Sequence, residues 1–190
     1  MHKQIKYLIL INAVFVFALN MFAPLYAIFV QGITKDIVHV GGVWGFYIIS
    51  VGVFTYFISK WEDKLKYADL FLLLGFALRA LGWGGYLVAA TLGHVYLIQL
   101  VLALGEAFGT PAYNAMFAKY LDKGRFASEY GLQTSIHSFV IGGASVIGAL
   151  IVSEYGFKAL FALMIAFSGA STLAAYKYRG LLGFREKAKP

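Results

Sequence analysis

"VYLIQLVLALGEAFGTPAYNAMFA", residues 95–118, decides how this chain is read. A helix needs about 20 apolar residues to cross the roughly 30 Å hydrocarbon core of a bilayer, and this stretch supplies them. Yet it carries a carboxylate (Glu106), a helix breaker (Pro111) and an amide (Asn114). A charge at mid-membrane depth costs about 2.5–3.5 kcal/mol on insertion scales, so Glu106 calls for an ionic partner or a water-filled cavity.

Five more runs of the same kind flank it, at about 7–30, 42–59, 69–91, 129–153 and 157–176. They are too long for barrel strands, which need only ~10 residues each. The composition agrees. The chain has 190 residues, 61% hydrophobic and 13% charged, whereas a soluble domain is nearer half apolar and a quarter charged. The expected fold is an all-α membrane protein: a six-helix transmembrane bundle over 1–176 and a basic tail over 177–190.

The breaks between runs hold the charge. Lys3, Lys6, Lys60, Lys64, Lys66, Lys119, Lys123, Arg125, Lys177, Arg179, Arg185, Lys187 and Lys189 fall on one side, and only Lys35 and Lys158 on the other. Positive loops stay cytoplasmic, so both termini are expected there, in a multi-pass protein of a bacterial or archaeal cytoplasmic (inner) membrane. The net charge of +7 therefore reflects loops in contact with the bilayer surface, not a nucleic-acid partner. The first run is too long for a secretion signal and "FAPLYA" lacks a small-x-small cleavage site, so it is read as retained.

Several chemistries are excluded. The chain has no cysteine, hence no disulfide and no thiolate nucleophile or metal ligand. His2, His39, His94 and His137 do not show metal-ligand spacing, and no Gly-x-Ser-x-Gly elbow or Walker loop is present. No enzyme activity, cofactor or metal is expected.

A weak internal symmetry is visible. Pro24 and Tyr26 in the first run match Pro111 and Tyr113 in the fourth, and Gly41-Gly42 and Gly142-Gly143 form a pair each in the second and fifth, at different points of the two helices. Such matches fit a three-plus-three inverted repeat; they equally fit two unrelated kinks.

From the fourth run onward the chain resembles the major facilitator superfamily. The residues are Gly105, Gly109 and Pro111-Ala112, then the basic loop Lys119 to Arg125, Gly131, and Gly156-Phe157-Lys158 with Phe161. "APLYAIFV" and "GGVWGFYIISVGVFTYFIS" resemble the family's first helix pair. There are departures. Of the family's loop signature after the second helix only Asp63-Lys64 stands here. Gln99 occupies the place of a frequent arginine, and Ala144-Ser145 precede Gly148-Ala149 where many antiporters carry Gly-Pro. Members have twelve helices in two parallel six-helix halves, and this chain has one half. The resemblance implies secondary transport of a small solute by alternating access, with a second copy completing a homodimer. A different partner chain, or a structural or regulatory protein that kept the fold without transport, are the alternatives.

Candidate site residues follow from helix geometry. Arg79 falls near mid-membrane in the third run, opposite Glu106. Two readings stay open: a structural ion pair, or a cavity-facing carboxylate that binds a substrate or a proton. Glu106, Thr110, Tyr113 and Asn114 share one face of the fourth helix; Asn12, Asn20 and Tyr26 lie on the first, and Gln133 and His137 four apart on the fifth. In the family these helices line the solute path. Pro111 is expected to bend its helix, and Asp63-Lys64 and Pro111 are the candidate gating positions. Gly41, Gly45, Gly52, Gly142, Ser145 and Ala149 give small faces that allow close helix approach, so the dimer contact is placed there. Trp83, Tyr86 and Tyr96 read as belt aromatics at the lipid interface. Nothing selects among sugars, drugs, metabolites and ions.

Overall fold

The computed structural model describes residues 2–65 and 67–179. Lys66 and the tail positions Arg185, Lys187 and Lys189 lie outside the described residues. The chain is all α among them: α1 (Lys3–Phe22), a 3-10 turn (Ala23–Leu25), α2 (Tyr26–Thr34), α3 (Ile37–Leu65), α4 (Ala68–Tyr86), α5 (Leu92–Lys119) and α6 (Phe126–Lys177). Among the described residues five stretches are long and apolar enough to cross a membrane, with α1, the 3-10 turn and α2 counting as one. The chain is thus a multi-pass integral membrane protein.

Local chemistry sets the boundaries. Pro24 opens the 3-10 turn between α1 and α2, because proline deprives the preceding helix of a hydrogen-bond donor. Lys35 ends α2 in the left-handed region (φ 57°), its N–H donating to Gln31 O at 2.7 Å. Asp36 then accepts from Val38 N at 2.9 Å, and Thr91 accepts from His94 N at the start of α5, both satisfying free N–H groups at helix starts. By contrast α5 runs unbroken through Pro111, so the two Pro-x-Tyr sites have different backbones. The helix α3 extends to Leu65, taking in most of the charged stretch after the second apolar run.

The last helix holds 52 residues. Straight, it would span roughly 78 Å at 1.5 Å per residue, far beyond a bilayer. It breaks at Gly156, where φ 76° and ψ 175° are non-helical and tolerated essentially by glycine alone. Contacts with α1 give the direction on each side. Before the break, His137 meets Asn12 and Gly148 meets Met21, so the chains run parallel. After it, Phe161 meets Phe22, Phe167 meets Phe17 and Tyr178 meets Tyr7, so they run antiparallel. The chain doubles back at Gly156.

Packing is closest where side chains are smallest. A Cβ on Gly148 would sit 2.0 Å from Met21 O, and one on Gly75 2.4 Å from Gly109 Cα. These are backbone-to-backbone approaches between α6 and α1 and between α4 and α5, the way helices associate where lipid offers no hydrophobic drive. Aromatic rings fill the core: Phe15 stacks on Phe76 and Trp83 at 4.6 and 5.4 Å.

The surface is apolar, as lipid requires: Phe139 is 83% and Val88 76% exposed. Burial is uneven among helices. In the most apolar windows 44% of α4 is buried but only 17% of α3 and 11% of α6, so α3 and α6 leave broad faces uncovered. The charged loops gather at one end. His2 lies 3.2 Å from Asp122, and Arg179 pairs with the buried Asp69. We call this the basic end.

Candidate functional site

The ion pair inside the bundle is built by three glycines and a ring. Gly75 lets α4 press against Gly109 of α5, which brings Arg79 and Glu106 face to face. Arg79 lies along the α5 backbone: a Cβ on Gly105 would stand 2.7 Å from its Cγ, and one on Gly109 3.4 Å from its Nη1. On its other side the guanidinium covers the Phe15 ring at 4.8 Å, a cation–π contact. Arg79 Nη2 donates to Glu106 Oε2 at 2.5 Å and to Thr110 Oγ1 at 3.1 Å. The Thr110 hydroxyl donates in turn to Glu106 Oε1. The charges of the pair cancel, which answers the cost of a carboxylate at this depth. The two side chains are unequally covered, however, at 7% exposure for Arg79 and 27% for Glu106.

Two cavities flank this pair. The basal one, toward the basic end, is about 250 Å³ and is lined by Asn12, Thr110, Tyr113, Asn114, Gln133 and His137 among others. Here Gln133 Nε2 donates to Tyr113 OH at 3.0 Å, and Asn12 Nδ2 lies 3.5 Å from His137 Nε2. The distal cavity is about 170 Å³ and mostly aromatic, with Tyr26, Trp44, Tyr47, Trp83 and Tyr86 in its wall and Gln99 Nε2 donating to Tyr26 OH at 2.5 Å. Arg79 and Glu106 line both. They form a charged septum between a polar chamber and an aromatic one.

Most residues picked out by helical spacing meet at these chambers, from four different helices. Asn20 does not: its Nδ2 turns back to Val16 O at 2.8 Å, and it lines neither cavity. Asp63 and Lys64 are exposed at the end of α3, whereas their neighbour Glu62 is buried with both carboxylate oxygens unpartnered among the described residues. Gly41, Gly45, Gly52 and Gly142 face outward with nothing within 4 Å of an added Cβ. Ser145 bonds its own helix at Ile141 O, and Ala149 is exposed.

The belt reading of two aromatics is corrected. Trp83 and Tyr86 are 1% and 3% exposed and wall the distal cavity. A tryptophan ring is equally at home in lipid and in a packed core, so sequence position alone misplaces it. The spacing argument also passed over Trp44, Tyr47 and Gly75, and Arg179, read from its charge as part of the basic tail, pairs with Asp69. The one available signal was Asp69, a carboxylate at the very start of an apolar helix.

The sequence matches the Major Facilitator Superfamily profile over residues 7–190. The chain belongs to this superfamily. Its fold is similar to that of the POT family transporter PepTSo, crystallised in meso, with a TM-score of 0.66 at 16% identity. The likeness covers 95% of this chain and 38% of that one, so the chain spans well under half the length of its structural neighbour. No protein of curated function matches it significantly.

Proposed function

We propose that the chain is one half of a secondary transporter that moves a small solute by alternating access. The observation that carries this reading is the Arg79–Glu106 pair standing between two cavities in the interior of a superfamily member. In this reading the chain crosses the bilayer six times as a three-plus-three inverted repeat. The break at Gly156 separates the last two crossings, and the basic end faces the cytoplasm of a bacterial or archaeal cell. We infer that the bundle works together with a second six-helix unit, and a second copy of the chain is the simplest such unit. The broad uncovered faces of α3 and α6, with Gly41, Gly45, Gly52, Gly142, Ser145 and Ala149, support their use as the contact. A different partner half is the other form of the same reading.

Glu106 is the coupling group in this account. Protonation would cancel its charge, release its hold on Arg79 and open the septum. The test is the chain reconstituted alone in vesicles carrying a lumenal pH dye and challenged with a panel of solutes. We expect at least one solute to evoke proton flux, and Glu106→Gln to remove the flux. Undiminished pH-driven uptake by Glu106→Gln would sink the coupling role. The deep burial of Arg79 favours a second reading, in which the pair only ties α4 to α5 in a non-transporting scaffold; this reading predicts no flux with any solute or partner.

A further inference from the structure

We propose that the distal cavity binds an organic cation, a compact alkylammonium head group. The inference rests on the cavity being part of a solute path, and it adds the chemistry of what enters. The walls are the first argument. Six rings surround the space: Phe22, Tyr26, Trp44, Tyr47, Trp83 and Tyr86. They meet at steep and differing angles, 76° for Phe22–Tyr26, 55° for Tyr26–Trp44 and 39° for Trp44–Tyr47. Rings tilted in this way form a box, not a flat stack. The face of each ring is electron-rich, so an aromatic box attracts an ammonium through cation–π contacts.

The second argument is which charge the cavity offers. Arg79 and Glu106 both line it, but the guanidinium is largely covered. It lies on Phe15, is fenced by Gly105 and Gly109, and donates to Glu106 and Thr110. At 7% exposure it is nearly sealed, whereas Glu106 is 27% exposed. A carboxylate has about four acceptor positions, and only two are taken here. An entering solute therefore meets spare carboxylate lone pairs more than free N–H groups. One N–H of the Gln99 amide donates to Tyr26 OH, and the tyrosine hydroxyls and indole N–H groups of the wall are neutral. Among the described residues the buried Tyr86 hydroxyl has no partner, which leaves it for a hydroxyl or carbonyl carried by the same ligand. The space, about 170 Å³, is below the roughly 300–1,000 Å³ of drug-sized pockets, so the fit is to a head group.

Choline, 3,3-dimethylbutanol and 3,3-dimethylbutanoate share one branched shape and carry positive, zero and negative charge. Titration calorimetry of each into the purified chain in nanodiscs tests the assignment. We expect choline to bind at least about tenfold tighter than the alcohol, and the carboxylate weakest. Trp44 is half exposed, so Trp44→Leu should fold. It should weaken choline about tenfold while leaving the alcohol nearly unchanged. Glu106→Gln should reduce the preference for choline. Equal binding of choline and alcohol, preference for the carboxylate, or no binding of choline overturns the proposal. Calorimetry needs no transport, so the two readings fail separately. Preferential choline binding without flux contradicts only the transport reading; flux of a solute with no choline preference contradicts only this one.

Discussion

Arg79 is held by more than its charge. Its stem crosses Gly105, its guanidinium covers Phe15, and its Nη2 is shared between Glu106 and Thr110. Removing one partner of such a pair leaves a buried charge uncompensated, which costs about 3–5 kcal/mol, while removing both is far milder. Arg79→Gln and Glu106→Gln should therefore each lower the thermal stability of the detergent-held protein more than the double variant does. Additive losses in a double-mutant cycle would mean that the pair contributes little. At this scale the sequence was informative where periodicity does the selecting. Glu106, Thr110, Tyr113 and Asn114 share a face because a helix repeats every 3.6 residues, and three of their basal partners, Asn12, Gln133 and His137, are the amides and imidazole of otherwise apolar runs. The aromatic chamber was not legible. Nothing in "LGWGGY" distinguishes a ring facing lipid from one facing a cavity, and the distinction is made by where α3 places Trp44 and Tyr47.

Helix crossings depend on a few glycines. A methyl at Gly75 or Gly148 would collide with backbone atoms, at 2.4 Å from Gly109 Cα and 2.0 Å from Met21 O. Backbone cannot swing aside as a side chain does, so Gly75→Ala and Gly148→Ala should each destabilise by about 1–3 kcal/mol, read as a fall in melting temperature. Gly45→Ala, with nothing within 4 Å, should leave the isolated chain unchanged. Gly156→Ala should also destabilise, by about 1–3 kcal/mol, because φ 76° with ψ 175° strains any other residue; a wild-type melting temperature would show that the turn relaxes. The apolar runs announced the helices, since some 20 residues without charge have few other uses. Their ends were harder to read. "SKWEDKL" looks like loop by charge, yet α3 continues to Leu65, because Lys60, Asp63 and Lys64 are exposed there and charges at a helix end cost little once they reach water. Pro24 and Pro111 show the same limit: one proline coincides with a 3-10 turn and the other sits inside an unbroken helix.

The whole bundle is lopsided. Burial concentrates where α1, α4, α5 and the last part of α6 meet, while α3 and the first part of α6 are mostly uncovered. In the proposed reading, a bundle with small residues on its open side suits a partner of the same kind. Native mass spectrometry of the singly expressed chain should therefore find a dimer, which Gly45→Trp should disrupt; a monomer at every concentration would point to a different partner half. The central claim is that the septum separates a cytoplasm-facing chamber from one facing the opposite side. The absence of cysteine makes a direct measurement possible: Asn114→Cys in the basal cavity and Trp44→Cys in the distal one, each labelled by a membrane-impermeant maleimide in vesicles of known sidedness. The account predicts that Asn114→Cys reacts from the cytoplasmic side and Trp44→Cys from the opposite side. Reaction of both positions from the same side, or of neither from any side, would contradict it.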